Sequence, residues 1–140
     1  MSAVYLDTSA VIKLVIDEPD SRLLRGFLRG DNPLAVPLAL VSSELTVTEG
    51  MRVGRGHSEE ASVRIEQLLA SMYLVRLTGS VFHRAGSLLP PHLRSLDALH
   101  LQATLDLGKA SIGIVTYDTR LGEAAGEAGV TVFTPRATAT

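Results

Sequence analysis

The chain has 140 residues, of which 46% are hydrophobic and 4% aromatic, so its size and composition predict one globular domain over residues 1–140. Cysteine is absent, which excludes disulfides and thiolate zinc sites and is consistent with a reducing compartment. A net charge of −2 excludes nucleic-acid binding through overall positive charge, although every basic residue except Lys13 and Lys109 is arginine.

The first predicted elements are a strand and two helices. Residues 2–6 form an apolar run with too little alternation for a half-exposed strand, so we predict a buried parallel strand that ends at Asp7. Thr8 and Ser9 are good N-cap residues, and we expect them to cap the next helix and leave the Asp7 carboxylate free. That helix ends by Pro19. A second, amphipathic helix then carries Leu23, Leu24, Phe27 and Leu28 on one face.

The next strand, predicted over residues 37–42, leads into a helix with two candidate acids. Glu49 shares four-residue spacing with Leu45 and Val53, so we interpret it as an acid on an apolar, inward-facing stripe, a position that demands a partner. Glu44 points to another face and lies in the first helical turn, where stabilising the helix dipole explains it. The predicted caps of this helix are Ser42 and Ser43.

The second half of the chain continues to alternate between helix and strand. The pattern predicts a helix after Ser58, a strand over 74–77, a helix from about Ser80 to the prolines at 90 and 91, and a helix over 95–108. A strand over 112–118, a small helix over 119–129 and a last strand over 130–135 follow.

Two further acids lie at boundaries of these elements. Asp97 lies in the first turn of a helix that Ser95 is expected to cap, with Leu96, Leu99 and Ala103 as its buried stripe. For Asp97, a carboxylate that complements the helix dipole and a site carboxylate are both tenable from this segment alone. Asp118 ends a strand as Asp7 does, and Thr116 beside it supplies a hydroxyl for the same pocket.

Alternation of strands and helices predicts a three-layer α/β/α sandwich with a mostly parallel central sheet. Ligands of such sheets bind at the carboxyl ends of the strands. We therefore expect Asp7, Glu49, Asp97 and Asp118 to converge in one crevice, where only cations make their mutual repulsion tolerable. An all-oxygen set suits Mg²⁺ or Mn²⁺ and disfavours zinc.

Histidine does not supply a second set of ligands, because none of the four shows a paired ligand spacing. We interpret His57, His83, His92 and His100 as surface or packing residues, although His100 could face the edge of the site. The N-terminus has no basic region ahead of an apolar stretch, and no segment approaches the length of a membrane span. A cytoplasmic location with no membrane partner is the expectation.

Four ordered segments, VYLDTSAVIKL, SSELTVTEGMR, SLDALHLQAT and VTYDTRL, cover the candidate acids. With them the chain resembles the PIN-domain ribonucleases, and specifically the VapC-type toxins of type II toxin–antitoxin pairs. The resemblance implies that Asp7, Glu49, Asp97 and Asp118 are the metal-binding acids and that Thr116 is a site hydroxyl. One departure is Gly50, where relatives often have a bulky apolar residue; a glycine inside a helix costs about 1 kcal/mol relative to alanine.

The same resemblance implies an activity and partners. The expected activity is Mg²⁺- or Mn²⁺-dependent endoribonuclease cleavage of structured or single-stranded RNA, with water activated by metal that the four carboxylates hold. The expected assembly is a homodimer with both sites in a shared groove, into which a VapB-type antitoxin inserts a C-terminal segment. Arg94 and Arg120, the arginines nearest the acids in sequence, could orient phosphate or pair with an acid of the antitoxin.

Two alternatives remain open. A phosphatase of the haloacid dehalogenase type would use Asp7 as nucleophile, but it needs a second acid two positions on, where this chain has Ser9. The chain also offers no plausible downstream lysine for that chemistry or for a response-regulator receiver. A PIN-like module that binds RNA or a partner without cutting is the second alternative. Retention of all four acids argues against it, because clustered like charges destabilise a protein unless metal binds them.

Overall fold

The fold is built around a parallel sheet of five strands. The structure is a computed structural model, and it describes residues 1–137. The order across the sheet is β3-β2-β1-β4-β5, and every pairing is parallel. The strands are β1 (Ala3–Leu6), β2 (Ala39–Ser43), β3 (Tyr73–Val75), β4 (Ser111–Val115) and β5 (Val132–Phe133). The first strand in the chain is therefore the central one.

Seven α-helices connect or flank these strands in the described part of the chain. They are α1 (Thr8–Val15), α2 (Ser21–Arg29), α3 (Glu44–His57), α4 (Glu59–Ser71), α5 (Gly79–Ala85), α6 (Ser95–Leu107) and α7 (Thr119–Glu127), and a short 3-10 helix, Gly108–Ala110, follows α6. None of the helices among residues 1–137 combines the length and the apolar character that crossing a membrane requires.

Alternation along β1 divides the core into two layers. Val4 and Leu6 point into a cluster built from α1, α2 and α4, whereas Tyr5 between them points into a cluster built from α6 and α7. All three of these strand residues are fully buried. The three-layer α/β/α sandwich that the alternation of elements predicts is therefore confirmed.

Helix α5 is shorter than predicted, ending at Ala85 instead of reaching the prolines at 90 and 91. The chain tightens into a turn at this point, where the N–H of Ser87 bonds the carbonyl of Arg84 and the N–H of Leu88 bonds that of Ala85. Gly86 has low helix propensity, and a residue that precedes proline disfavours helical backbone, so nothing local extends the helix across 86–89. The last strand is likewise shorter than predicted, covering only Val132–Phe133.

The buried stripe of α3 is displaced by one residue from the predicted one. Thr46, Gly50 and Gly54 face inward, whereas Val53 is 44% exposed. The reason is close packing against Ile65 of α4, since a Cβ on Gly50 would lie 3.3 Å from Ile65 Cγ1 and one on Gly54 would lie 3.2 Å from Ile65 Cγ2. Gly50 therefore has a packing role that offsets its low helix propensity.

Helix α6 is buried on more sides than its predicted stripe implies. Leu99 and Ala103 are buried as expected, but Leu96 is 47% exposed, and every residue from 97 to 104 is buried. This helix packs against two strands, β2 and β4, and against three helices, α3, α5 and α7, so its buried band is wide. Leu96 lies in the first turn, outside that band, whereas Asp97 lies inside it.

Several predicted helix caps are also different in the structure. Ser43 has the N-cap position of α3 without a capping hydrogen bond from its side chain, and Ser42 instead donates from Oγ to the carbonyl of Leu6 over 2.7 Å. Arg94 has the N-cap position of α6, so Ser95 is already helical. Ser58 does cap α4, accepting from the N–H of Ala61 over 3.0 Å.

The carboxyl ends of β1 and β4 are aligned by an irregularity within β4. Ala3 pairs with Ser111 but Tyr5 pairs with Ile114, so β4 accommodates one additional residue before Leu6 pairs with Val115. Gly113 lies at this shift with φ +154°, and a Cβ there would be 2.2 Å from the carbonyl oxygen of Thr131. Only glycine fits here, and the shift brings the residues after β4 level with Asp7.

We expect Gly113→Ala to lower the free energy of unfolding by at least about 2 kcal/mol, because the added methyl overlaps the backbone of the neighbouring chain segment. Urea unfolding followed by circular dichroism measures the loss. Gly126→Ala in α7 is the matched control, since its added Cβ meets no atom within 4 Å. That control should gain roughly 0.5 to 1 kcal/mol from helix propensity. Equal effects of the two substitutions would contradict this account of Gly113.

Candidate active site

Asp7 follows the central strand and is nearly inaccessible to solvent, with 4% of its surface exposed. Its Oδ1 accepts hydrogen bonds from Ser9 Oγ at 2.6 Å and from the N–H of Ala10 at 3.0 Å, and its Oδ2 accepts from Thr116 Oγ1 at 2.6 Å. Asp7 is thus itself the N-cap of α1. The expectation that Thr8 and Ser9 cap this helix is wrong, because both residues already have helical backbone.

Within residues 1–137, the charge of Asp7 is compensated by hydrogen bonds and not by an ion pair with lysine or arginine. Burial raises the pKa of Asp7 above its ordinary value, and the donors at Ser9 and Thr116 reverse only part of that effect. A buried carboxylate with an elevated pKa and no cationic partner is a position where a bound cation would be stabilising.

Thr116 joins Asp7 to Asp118. Its Oγ1 donates to Asp7 Oδ2 and accepts from the N–H of Asp118 over 3.0 Å. Asp118 caps α7 through Oδ1, which accepts from the N–H groups of Arg120 and Leu121 at 2.9 and 3.2 Å. Its other oxygen, Oδ2, is directed to Arg94. The hydroxyl predicted at position 116 therefore lies between two of the predicted acids.

Arg94 joins Asp118 to Asp97. Its Nε donates to Asp97 Oδ2 over 3.0 Å and its Nη2 donates to Asp118 Oδ2 over 2.8 Å. The side chain of Asp97 is 11% exposed and that of Asp118 is 27% exposed, whereas the Arg94 side chain is 64% exposed. One solvent-facing guanidinium thus connects two largely buried carboxylates from α6 and α7.

Glu49 has a separate set of donors. Its Oε1 accepts from Thr8 Oγ1 at 2.5 Å and lies 3.0 Å from Nε2 of His100, whose Nδ1 is 2.7 Å from the Tyr5 hydroxyl. Because an ionised carboxylate only accepts, the satisfied arrangement has the proton on Nε2 and the Tyr5 hydroxyl donating to Nδ1. Burial acts to raise the pKa of Glu49, but the hydrogen bonds from His100 and Thr8 outweigh it and lower the pKa.

His100 and Tyr5 are site neighbours that the sequence interpretation underrated. His100 is 3% exposed, whereas its sequence context predicts a surface or packing residue that could face the edge of the site. Two features of the sequence indicate that these residues lie near the site. His100 is one helical turn after Asp97, and Tyr5 is two residues before Asp7 and therefore on the same face of the sheet. Glu44, by contrast, accepts from the N–H of Leu77 over 2.8 Å and fixes the segment after β3.

The four predicted acids thus lie around the carboxyl edge of β1 and β4, linked by Thr116, Arg94 and the Thr8–His100 pair. Among residues 1–137 no three acidic or histidine side chains surround a common point as a bound ion requires, and the Arg94 guanidinium lies between two of the acids. The donor set is nonetheless all oxygen and strongly acidic. Its chemistry fits a hard divalent cation such as Mg²⁺ or Mn²⁺.

Comparison with known proteins identifies the family. A PIN domain model matches residues 4–127, most of the chain. The chain belongs to the PIN-domain family. It is 40% identical over 135 residues to ribonuclease VapC46 of Mycobacterium tuberculosis, an alignment that covers 96% of this chain and 99% of that protein. It is 35% identical over 135 residues to ribonuclease VapC47 of the same organism, covering 96% and 98% of the two chains. The resemblance to VapC-type PIN domains is therefore confirmed.

Solved structures of PIN-domain proteins share the fold. The crystal structure of VapC20 of Mycobacterium tuberculosis, described as a sarcin-ricin loop cleaving toxin, aligns with a TM-score of 0.73 at 15% identity, covering 95% of this chain and 100% of that one. A chain from a toxin–antitoxin complex of Klebsiella pneumoniae aligns with a TM-score of 0.70 at 21% identity, covering 95% and 98%. At these identities the likeness concerns the PIN fold.

We expect Asp7→Asn to raise the free energy of unfolding of the metal-free protein at pH 7, because the amide is neutral and its oxygen still accepts from Ser9 and Ala10. Urea unfolding in chelator measures the change. Because the folded pKa of Asp7 is raised, the gain is largest above that pKa. It disappears as the pH falls below the ordinary value of 3.8, where the wild-type group is protonated in both states.

Asp106→Asn is the matched control for Asp7→Asn and should have the opposite sign. The Asp106 carboxylate is ion-paired with Arg84, whose hydrogen bonds lower the pKa of Asp106 below its ordinary value. Its replacement therefore removes a favourable charge at pH 7. A loss of stability in Asp7→Asn comparable to that in Asp106→Asn would show that the Asp7 charge is well compensated in the folded protein.

Tyr5→Phe tests the contact that holds His100. We expect it to lower the free energy of unfolding by about 1 to 2 kcal/mol, since it removes one hydroxyl and leaves Nδ1 of a buried imidazole without its partner. Thermal or urea unfolding measures this loss. Tyr73→Phe removes the same atom from a residue that is 70% exposed, so it should change stability by less than about 0.5 kcal/mol. A Tyr5→Phe protein as stable as Tyr73→Phe would rule out the proposed hydrogen bond.

Proposed function

We propose that this chain is a Mg²⁺- or Mn²⁺-dependent endoribonuclease and the toxin of a type II toxin–antitoxin pair. The observation that carries the proposal is the gathering of Asp7, Glu49, Asp97 and Asp118 at one sheet edge, with a single arginine among them. The relatives named ribonucleases VapC46 and VapC47 align with nearly the whole chain, which supports the same activity here.

The residues that would hold the metal are Asp7, Glu49, Asp97 and Asp118, with Thr116 as the supporting hydroxyl. A divalent cation bound there would supply water activation and charge neutralisation at the scissile phosphate. The protein's own contribution is orientation: Thr116 Oγ1 holds Asp7 Oδ2, and the N–H groups that begin α7 hold Asp118 Oδ1. Each of these carboxylates is fixed before any ligand arrives, which lowers the cost of assembling the site.

Glu49 is held as an ionised carboxylate that water can reach. Its lowered pKa keeps it ionised at neutral pH, and Oε1 is oriented by Thr8 and His100. The side chain is 27% exposed, so water and substrate can reach it, whereas Asp7 at 4% is far less accessible. We therefore propose that Glu49 faces the water and substrate, and that Asp7 is the buried ligand of the metal.

A phosphatase that uses Asp7 as nucleophile is disfavoured by the same geometry. Both oxygens of Asp7 already accept hydrogen bonds, which lowers their reactivity as nucleophiles toward phosphorus. Position 9 holds a serine that donates to Asp7 where the phosphatase chemistry needs a second acid. Membership of the PIN-domain family also argues for hydrolysis of a nucleic acid.

The partners we propose are an RNA substrate, a VapB-type antitoxin and a second copy of the chain. A structural neighbour is a toxin–antitoxin complex and another is described as cleaving the sarcin-ricin loop, which supports an antitoxin and a structured RNA as ligands of this class of fold. We propose that the antitoxin inserts a C-terminal segment into a groove shared by the two sites of a homodimer, and that the protein acts in the cytoplasm.

The decisive experiment is cleavage of total cellular RNA by purified protein with Mg²⁺ or Mn²⁺, with a chelated sample alongside. We expect discrete fragments that disappear with chelator, and a rate at least roughly a hundredfold lower in Asp97→Asn. Asp106→Asn is the matched control, because it removes a carboxylate from the same helix, α6, at the end far from the site. Its cleavage rate should stay close to that of the wild type.

Metal binding is tested separately by thermal unfolding. A cation present at a hundred times its Kd stabilises a protein by about 2.7 kcal/mol, so a working site gives a clear rise in Tm that Asp97→Asn removes. A Tm rise without RNA cleavage would favour a PIN-like module that binds RNA without cutting it. Identical fragments from the wild type and Asp97→Asn would indicate a contaminating ribonuclease.

A further inference from the structure

Arg94 is a surface arginine that forms two ion pairs with the candidate site. Its side chain is 64% exposed, yet Nε reaches Asp97 and Nη2 reaches Asp118. Among the ion pairs of residues 1–137, it is the single lysine or arginine that pairs with any of the four acids. The positive charge nearest these carboxylates is therefore on a side chain that solvent can draw away.

The backbone of Arg94 is anchored even though its side chain is not. Arg94 has the N-cap position of α6, and its carbonyl accepts from the N–H of Ala98 over 2.9 Å. Its Cα is consequently fixed at the start of the helix that carries Asp97. Movement of the guanidinium requires rotation of side-chain bonds only, and since the group is exposed it loses little packing when it leaves.

Asp97 and Asp118 need a cation between them. Their Oδ2 atoms both contact the same guanidinium, and like charges brought this close are unfavourable without a positive group nearby. The two oxygens that Arg94 contacts are those not used by the cap of α7, where Asp118 uses Oδ1. They are also oxygens that a divalent cation at this site would need.

We propose that Arg94 is an exchangeable counterion: its guanidinium holds Asp97 and Asp118 together in the metal-free protein and must leave when a divalent cation binds. This inference rests on the metal site of the proposed function and adds a residue that opposes loading of that site. Arg94 stabilises the metal-free protein and, by the same contacts, weakens its affinity for the cation. Removal of Arg94 should therefore tighten metal binding, even though it deletes a residue of the site.

Isothermal titration of Mn²⁺ and of Mg²⁺ into the chelator-stripped full chain tests the exchange. We expect Arg94→Ala to bind roughly two- to tenfold more tightly than the wild type, the range expected when one exposed, charge-assisted pair is lost. Arg94→Gln keeps a polar stem at the start of α6 and should tighten binding likewise, so it decides the test where the alanine variant does not fold. Thermal unfolding in chelator should show a lower Tm for both variants.

Two arginine controls separate exchange from a general effect of charge. Arg120→Ala removes a positive charge at the start of α7, two residues after Asp118, and Arg84→Ala removes one that bridges α5 to Asp106 on α6. Each should bind Mn²⁺ within about twofold of the wild type, because neither ion-pairs with Asp97 or Asp118. Tightening by Arg120→Ala equal to that of Arg94→Ala would overturn the exchange.

The other outcomes of the titrations also distinguish the exchange from the metal site itself. Wild-type affinity, or weaker, in both Arg94 variants would overturn the exchange while leaving the metal site of the proposed function intact. Absence of Mn²⁺ and Mg²⁺ binding in the wild type and in every variant would overturn both. Tighter binding confined to the two Arg94 variants, together with their lower Tm in chelator, would establish Arg94 as the counterion that the metal displaces.

Discussion

The carboxylate of Asp7 is a negative charge buried at the end of the central strand, and the elements around it are arranged to tolerate that charge. Its hydrogen-bond donors come from α1, through Ser9 and Ala10, and from the segment after β4, through Thr116. The position of β4 depends in turn on Gly113. Any other residue there would place its Cβ 2.2 Å from the carbonyl oxygen of Thr131. The hydrogen bonds of one buried carboxylate therefore connect the end of β1, the start of α1 and the segment after β4. Burial raises the pKa of Asp7 above its ordinary value, so these donors compensate its charge only in part. A protein optimised for stability alone would have a neutral group here.

The other acids are compensated by different donors. Glu49 receives hydrogen bonds from Thr8 and His100, and the imidazole is in turn held by Tyr5 from the same strand as Asp7. Asp97 and Asp118 share the guanidinium of Arg94. Neutral donors thus hold Asp7 and Glu49, whereas the solvent-exposed guanidinium of Arg94 holds Asp97 and Asp118. One positive charge therefore serves two of the four acids, and the site as a whole stays negative.

Much of this arrangement follows from sequence patterns that are local. The apolar runs before Asp7 and Asp118 predict parallel strands, and the structure has β1 and β4 as neighbours in a parallel sheet, so that Thr116 contacts both acids. What sequence could not supply are contacts set by tertiary packing. The inward stripe of α3 is Thr46, Gly50 and Gly54 because Ile65 of α4 packs against the two glycines, and periodicity alone favoured the neighbouring stripe of larger residues. His100 was underrated for the same reason, since its partners Tyr5 and Glu49 are 95 and 51 positions away.

From the sequence, capping a helix and forming the site are alternative roles for an acid, but in the structure Asp7 and Asp118 have both positions at once. Asp7 caps α1 and Asp118 caps α7, each through Oδ1, and in both residues Oδ2 is left for the network at the sheet edge. Asp97 lies in the first turn of α6. Three helix N-termini therefore point at the cluster, and each contributes partial positive charge that favours a carboxylate there. Glu49, in the middle of α3, lacks this help and is the acid that needs a histidine. The dipoles reduce the repulsion among the acids, and the caps of α1 and α7 use only Oδ1 of Asp7 and of Asp118, so capping leaves the Oδ2 atoms to Thr116 and Arg94.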